Sequence, residues 1–271
     1  MSVRYPSPFR YPGGKSWLIQ YARRWLAYQQ VTECVEPFAG GASIALSAVL
    51  GRMVGRATLV ELDDSVAAVW QTVLGPDSEW FIGAIGDFVP TSESVAEALS
   101  REPDSTKHLA FQTILRNRTR YGGILAEGAR PINRGENGSG IASRWYPLTL
   151  QKRIRDIAEA AERITFIHGD GLETLAKYTE RVDAAVFVDP PYSKAGRRLY
   201  THSDVAPKTV FEQCHELAGN FLITYDDTPR ITDLAHHYGM DVSRVYMRNT
   251  HHSTTSELLI GRDLAWVGAV Q

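Results

Sequence analysis

The sequence predicts an α/β fold built on a largely parallel sheet. Short, near-continuous apolar runs of strand length recur along the chain, helical stretches lie between them, and acids and glycines sit where the runs stop. Runs of that kind suit strands buried on both faces. Their alternation with helices is the pattern of βα units.

Taken in order, Cys34-Val35-Glu36 reads as a strand closed by Pro37, and Thr58 to Glu61 as a second. Ile164 to Ile167, Ala185 to Val188 and Phe221 to Thr224 follow. Val242 to Met247 and Glu257 to Ile260 lie close together and suit an antiparallel pair. Ala42 to Leu50 is a helix rich in Ala and Leu after a Gly pair. Ser65 to Leu74 is a helix behind Asp63-Asp64, acids that favour a helix N-terminus. Leu150 to Arg163 places Ile154, Ile157, Ala158 and Ala161 at helical spacing. Residues 76–150 break this order, opening at Gly75-Pro76 and closing on a loop rich in Gly, Asn and Arg. They are predicted to be an insert that carries specificity, hung on a core made of residues 1–75 and 151–271.

At 271 residues, one to two domains are expected, with enough chain for a full core. Hydrophobic residues make 44% and charged residues 22%, which excludes disordered and low-complexity classes. No apolar run approaches the ~20 residues of a membrane span, and MSVRYPSPFR has no signal-like apolar stretch. Cys34 and Cys214 cannot make a disulfide framework, so a reducing cytoplasm is expected. Net charge is −2, but residues 111–155 hold nine Lys/Arg against two acids, so this block is +7 and the rest −9. A basic block in an acidic chain is the footprint expected of a phosphate-backbone contact; a solvated charged surface gives the same pattern.

The sharpest motif is Asp189-Pro190-Pro191-Tyr192, directly after a strand. Proline has no N–H to donate, so pairing stops there. The carboxyl end of a parallel strand is where α/β folds bind ligands. Asp189 offers a carboxylate, Pro190 a carbonyl and Tyr192 an aromatic face, a set that suits a planar amine. Upstream, Val35 to Ser43 reads as strand, Gly-rich turn and helix, with Gly40 and Gly41 allowing close backbone approach. G-x-G-x-x-G is absent, and Gly14-Lys15-Ser16 lacks the first Walker A glycine, that position being Phe9. Glu61 ends the next strand, where a carboxylate can hold ribose hydroxyls. The turn therefore suits an adenosyl group that needs no phosphate site. His236-His237 and His251-His252 are adjacent pairs without metal-ligand spacing, and no G-x-S-x-G elbow occurs, so no metal is expected.

These blocks together resemble the Dam-type DNA adenine-N6 methyltransferases, which use S-adenosylmethionine. The resembling segments are Phe9 to Lys15, Val35 to Gly41, Val60 to Asp64, His168 to Asp170, Asp189 to Tyr192, Ile223 to Thr228 and Ser256 to Ile260, in the alpha-type order and over the length of the chain. The resemblance implies a class I, Rossmann-like, seven-stranded mixed sheet with an inserted, largely helical target-recognition domain. It implies a cofactor site of Tyr11, Gly14, Lys15, Glu36, Phe38, Gly40, Gly41, Glu61, Asp170 and Asp189. Tyr11 and Lys15 line the methionine end, Glu61 (more often Asp in the family) the ribose, and Asp170 the adenine. For Tyr11 core packing, and for Lys15 a solvent salt bridge, are the plain alternatives.

The resemblance further implies catalysis by Asp189, Pro190, Pro191 and Tyr192 on a base flipped out of duplex DNA, as in restriction-modification enzymes. Asn117 to Gly123 resembles the family's N-R-x-x-x-N-G block, but the hairpin that follows it in the family is replaced here by Ile124 to Pro147. The recognition sequence is therefore left open. Arg10, Arg116, Asn117, Arg118, Arg120, Tyr121 and Arg144 are the expected DNA contacts, Arg10 toward a base and the helix arginines toward phosphates. Arg144 and Trp145 suit either a stack at the DNA or a cap for the Leu150 helix. Double-stranded DNA is the expected partner, without a membrane, in a prokaryotic or phage setting at the nucleoid. An RNA adenine-N6 methyltransferase and a catalytically dead DNA-binding regulator are the rivals; intact D-P-P-Y and Gly-Gly motifs weigh against the second.

Overall fold

In the computed structural model, residues 5–10, 15–125, 128–133, 135, 138–191, 205–248 and 254–269 are described. Seven strands form one sheet: β1 (Glu33–Glu36), β2 (Arg56–Glu61), β3 (Ile164–His168), β4 (Ala184–Val188), β5 (Asn220–Asp226), β6 (Asp241–Arg248) and β7 (Thr254–Gly261). Their order across the sheet is β3-β2-β1-β4-β5-β7-β6. Among the described strands only β7 runs against the others, inserted between β5 and β6. This is the class I methyltransferase sheet, and all seven expected strands are present, the last two as the expected antiparallel pair.

Why the runs are continuous is visible in the packing. Cys34, Leu59, Phe187, Leu222 and Leu259 face one apolar cluster, while Val35, Val186, Val188, Ile223 and Ile260 face another. Both faces are covered, so alternate residues along each strand are both apolar. The ten described α-helices are α1 (Ile19–Gln29), α2 (Ser43–Leu50), α3 (Asp64–Leu74), α4 (Ser78–Asp87), α5 (Ser92–Ser100), α6 (Thr106–Thr119), α7 (Pro147–Ala158), α8 (Gly171–Leu175), α9 (Pro207–Glu216) and α10 (Pro229–His237). As expected, α3 begins on an acid: the Asp63 side chain accepts from the Ser65 and Val66 amides. α7 starts three residues before Leu150, because Pro147 sits at its first position, where its missing N–H costs nothing.

Most of the insert is helical, but among the described residues it has no separate core. Phe81, Ile85, Ile114 and Leu115 join the same cluster as Leu59 of β2 and Trp70 of α3. α6 packs along α3, and α4 along α7. The insert is thus packed onto the helices that cover one face of the sheet. Among the described residues no helix is long and apolar enough to cross a membrane.

Candidate active site at the strand ends

The carboxyl ends of β1, β2, β3, β4 and β5 place Glu36, Glu61, Asp170, Asp189 and Asp226 along one edge of the sheet. Because β7 is antiparallel, its early residue Glu257 lies at that same edge, in register with Asp226. The expected cofactor and catalytic residues that are described therefore converge. Tyr11, Gly14 and Tyr192 lie outside the described residues.

Asp189 is fixed from two sides. Thr224 Oγ1 of β5 donates to its Oδ1 at 2.7 Å. Lys15 Nζ lies 3.1 Å from the same oxygen and 3.4 Å from Glu257 Oε2. Lys15 is 5% exposed, so this is a buried ion pair and not the solvent salt bridge that its sequence context also allowed. Burial pulls the Lys15 ammonium's pKa down, but Asp189 and Glu257 outweigh it and leave the pKa raised. Burial pushes Glu257 up, Lys15 opposes this, and Asp189 adds to it. Asp226 is likewise raised by burial and held back by Lys15. Pro190 is buried and Pro191 half-buried behind Asp189.

The Gly-rich turn is pinned from below. Gly40 takes a φ of 45°, a conformation that favours glycine. Its N–H donates to Glu61 Oε2 at 2.8 Å, and its carbonyl accepts the indole N–H of buried Trp70 at 3.0 Å. The other Glu61 oxygen accepts from the Leu62 and Asp63 amides, both at 2.9 Å. Burial raises the Glu61 pKa, and the amides of Asp63 and Gly40 limit the rise. Glu61 is thus a strut for the turn as well as an acid at the expected ribose position. Gly41 is buried, and Phe38 is half-buried at the edge of the second cluster.

Glu36 is turned inward. Its Oε2 accepts from the Ala45 amide at 2.9 Å, at the N-terminus of α2. Ala42, the residue before α2, caps nothing with its side chain, so Glu36 supplies the cap from β1. Burial drives its pKa up to about 8, opposed by the Ala45 amide. Asp170 also caps a helix, accepting from Leu172 N at 2.7 Å. Next to it, Gly171 lies so near the Gly-rich segment that a Cβ there would stand 2.0 Å from the Pro37 carbonyl oxygen.

The expected DNA contacts divide into two groups. Arg10, Arg116, Arg120 and Arg144 are half-buried, and Tyr121 is exposed. Asn117 and Arg118 are buried. Asn117 bonds the Arg10 backbone and the Gly123 carbonyl, and Arg118 donates to the Pro8 carbonyl. Burial pushes the Arg118 pKa down to about 9, with Arg153 and Arg10 adding repulsion. Arg116 and Arg120 are lowered by burial too. Trp145 takes neither expected role: it is buried edge-on to Phe88 and Phe111, at 5.6 and 6.4 Å between ring centroids, and Tyr146 precedes α7 instead.

Sequence reasoning assigned no role to Thr224, Glu257, Gly171 or Trp70. A usable signal existed for the first: a threonine hydroxyl behind the apolar run Phe221-Leu222-Ile223 needs a partner when buried.

No family model matches the chain, and no curated protein matches it in sequence. Solved structures that it resembles include a precorrin-6y C5,15-methyltransferase from Geobacter metallireducens, at 11% identity and TM-score 0.42, covering 91% of this chain and 87% of that one. Another is the tRNA methyltransferase TrmK of B. subtilis, at 10% and 0.40, covering 93% and 67%. A third is spermidine synthase from Thermotoga maritima, at 11% and 0.45, covering 94% and 61%. These likenesses concern shape alone; the fold assignment rests on the strand order and direction of this chain's own sheet.

Proposed function

We propose that this chain is an S-adenosylmethionine-dependent DNA methyltransferase that modifies the N6 amine of an adenine flipped out of the duplex. The observation that carries the reading is Asp189: a carboxylate at the end of β4, ahead of Pro190-Pro191, held by Lys15 and Thr224 beside a Gly-rich turn.

The residues present suit the cofactor. Asp189, Asp226 and Glu257 gather at the strand ends with Lys15 as the buried cation among them. That excess of negative charge favours a ligand bearing a sulfonium and an ammonium. Gly40 and Gly41 would lie beneath it, Glu61 at the ribose and Asp170 at the adenine, with Phe38 beside the turn. Tyr11 and Gly14 belong to the same expected site. When bound, S-adenosylmethionine supplies a methyl group already activated by its positive sulfur.

The chain's own task is then to make a poor nucleophile attack. An adenine amine delocalises its lone pair into the ring. Asp189 and the Pro190 carbonyl accept its two N–H bonds, which keeps that pair on nitrogen and stabilises the positive charge as it develops. No strong base is needed, and alignment supplies much of the remainder. Flipping the base costs a few kcal/mol, which stacking on Tyr192 offsets in part. Arg10, Arg116, Arg120, Tyr121 and Arg144 are the surface groups for the duplex, while Asn117 and Arg118 support them from within.

The test is expression in a methylation-free host with modified adenines mapped by long-read sequencing, and purified protein offered duplex DNA and RNA with labelled donor. N6-methyladenine in DNA at one sequence context is expected. Label entering RNA alone would establish the RNA reading, and tight DNA binding with no donor consumed would establish a non-catalytic regulator. Asp189→Ala is expected to abolish transfer while leaving DNA binding within about threefold.

A further inference from the structure

We infer that Thr224 is a positioning residue for Asp189, acting with Lys15 to hold the carboxylate in the single orientation that receives the substrate amine. The inference deepens the proposed function and rests on it. Thr224 is fully buried in the middle of β5, between Ile223 and Tyr225 of the second apolar cluster. A valine would fill the same volume without a polar atom. A buried hydroxyl is costly unless paired, and this one spends its proton on Asp189 Oδ1 at 2.7 Å. Lys15 approaches the same oxygen at 3.1 Å. Two donors on one oxygen, one of them charged, fix the carboxylate plane more firmly than either alone.

Lys15 is itself held by Glu257 on β7, whose neighbour Leu258 pairs with Tyr225, the residue after Thr224. The orientation of Asp189 is thereby tied to β5, β7 and the N-terminal turn together. Thr224 does not touch the substrate; it acts through Asp189.

Thr224→Val and Thr224→Ser separate the hydroxyl from the shape. Initial rates of labelled methyl transfer to duplex DNA are measured for both, together with crystal structures of the wild type and each variant. The valine variant is expected to lose about tenfold or more in kcat with KM for DNA and donor changed less than about threefold, and serine to recover most of the loss. In the crystals, the Asp189 carboxylate turns away from Lys15 in the valine variant alone. A valine variant with wild-type kcat, a serine variant as slow as valine, or an Asp189 that stays in place in the valine variant each overturns the inference. Should the wild type methylate no nucleic acid, the proposed function falls, and the crystal structures alone decide: a turned carboxylate upholds positioning, an unmoved one refutes it.

Discussion

The Asn117 side chain and the Arg10 backbone bind one another in both directions. The Arg10 N–H donates to Asn117 Oδ1, and Asn117 Nδ2 donates to the Arg10 carbonyl, each at 2.8 Å. One amide side chain on α6 thus satisfies both backbone polar groups of Arg10. Arg118 adds a bond to the Pro8 carbonyl and Arg153 one to the Ser7 carbonyl at 3.1 Å. Side chains of the insert helix and of α7 therefore hold the strap that leads to Lys15. Asn117→Ala leaves the Arg10 amide and two carbonyls without their partner, at a cost of about 3 kcal/mol. Urea denaturation reads that loss. Isothermal titration with S-adenosylmethionine is expected to show weaker binding as well, because the freed strap no longer places Lys15.

Gly171 sets how near α8 comes to the Gly-rich segment. A Cβ would stand 2.0 Å from the Pro37 oxygen and 3.2 Å from the Phe38 ring. Backbone cannot yield as a side-chain tip does, so α8 or the turn must retreat. Gly171→Ala is expected to cost about 1–3 kcal/mol and to lower donor affinity about tenfold or more, since Asp170 moves with the helix. Thermal melting and calorimetric titration check the two effects separately; a variant that melts lower yet binds normally would remove Asp170 from the site.

Trp70 offers a second handle on the same turn. Its indole N–H supports the Gly40 carbonyl from a fully buried position against Phe9, 5.7 Å away ring to ring. Trp70→Phe keeps an aromatic ring but removes the donor and leaves a gap, for an expected loss of about 2–3 kcal/mol. Donor affinity should fall with it, because Gly40 loses the bond that opposes its link to Glu61. Denaturation and titration in parallel measure both.

The strands were legible because burial on both faces writes itself as an unbroken apolar run. Asp63 before α3 was legible because an N-cap is local. Asn117 and Arg118 were not, since the partners that bury them in the N-terminal segment lie more than a hundred positions away and are backbone atoms, which any residue carries. Read along the chain, arginines and asparagine on a helix look like a surface; three-dimensionally, two of them close the polar groups of a buried strap. Trp145 beside Arg144 misled in the same way, because aromatic packing with Phe88 and Phe111 depends on helices brought together from elsewhere. The site acids fared better. Their position at strand ends follows from topology, but the use of Glu36 as a cap for α2 follows from the conformation of Ala42, whose φ of 49° no sequence pattern announces.

That cap makes stability depend on pH in a definite direction. Glu36 is 4% exposed and its pKa stands at about 8, against an ordinary 4.5, chiefly through burial. The α2 amides favour the anion, but desolvation wins. A carboxyl with a raised folded-state pKa binds its proton more tightly folded than unfolded. Its contribution is therefore greatest in acid and is lost as pH rises from about 4.5 to about 8, by up to roughly 5 kcal/mol. Glu36→Gln keeps an acceptor for Ala45 and cannot ionise. Between about pH 6 and about pH 9 the wild type should lose stability to urea while the variant stays nearly level, so the two curves separate on the alkaline side. Parallel curves across that range would mean that the carboxylate is ionised throughout, and that the helix N-terminus outweighs the burial.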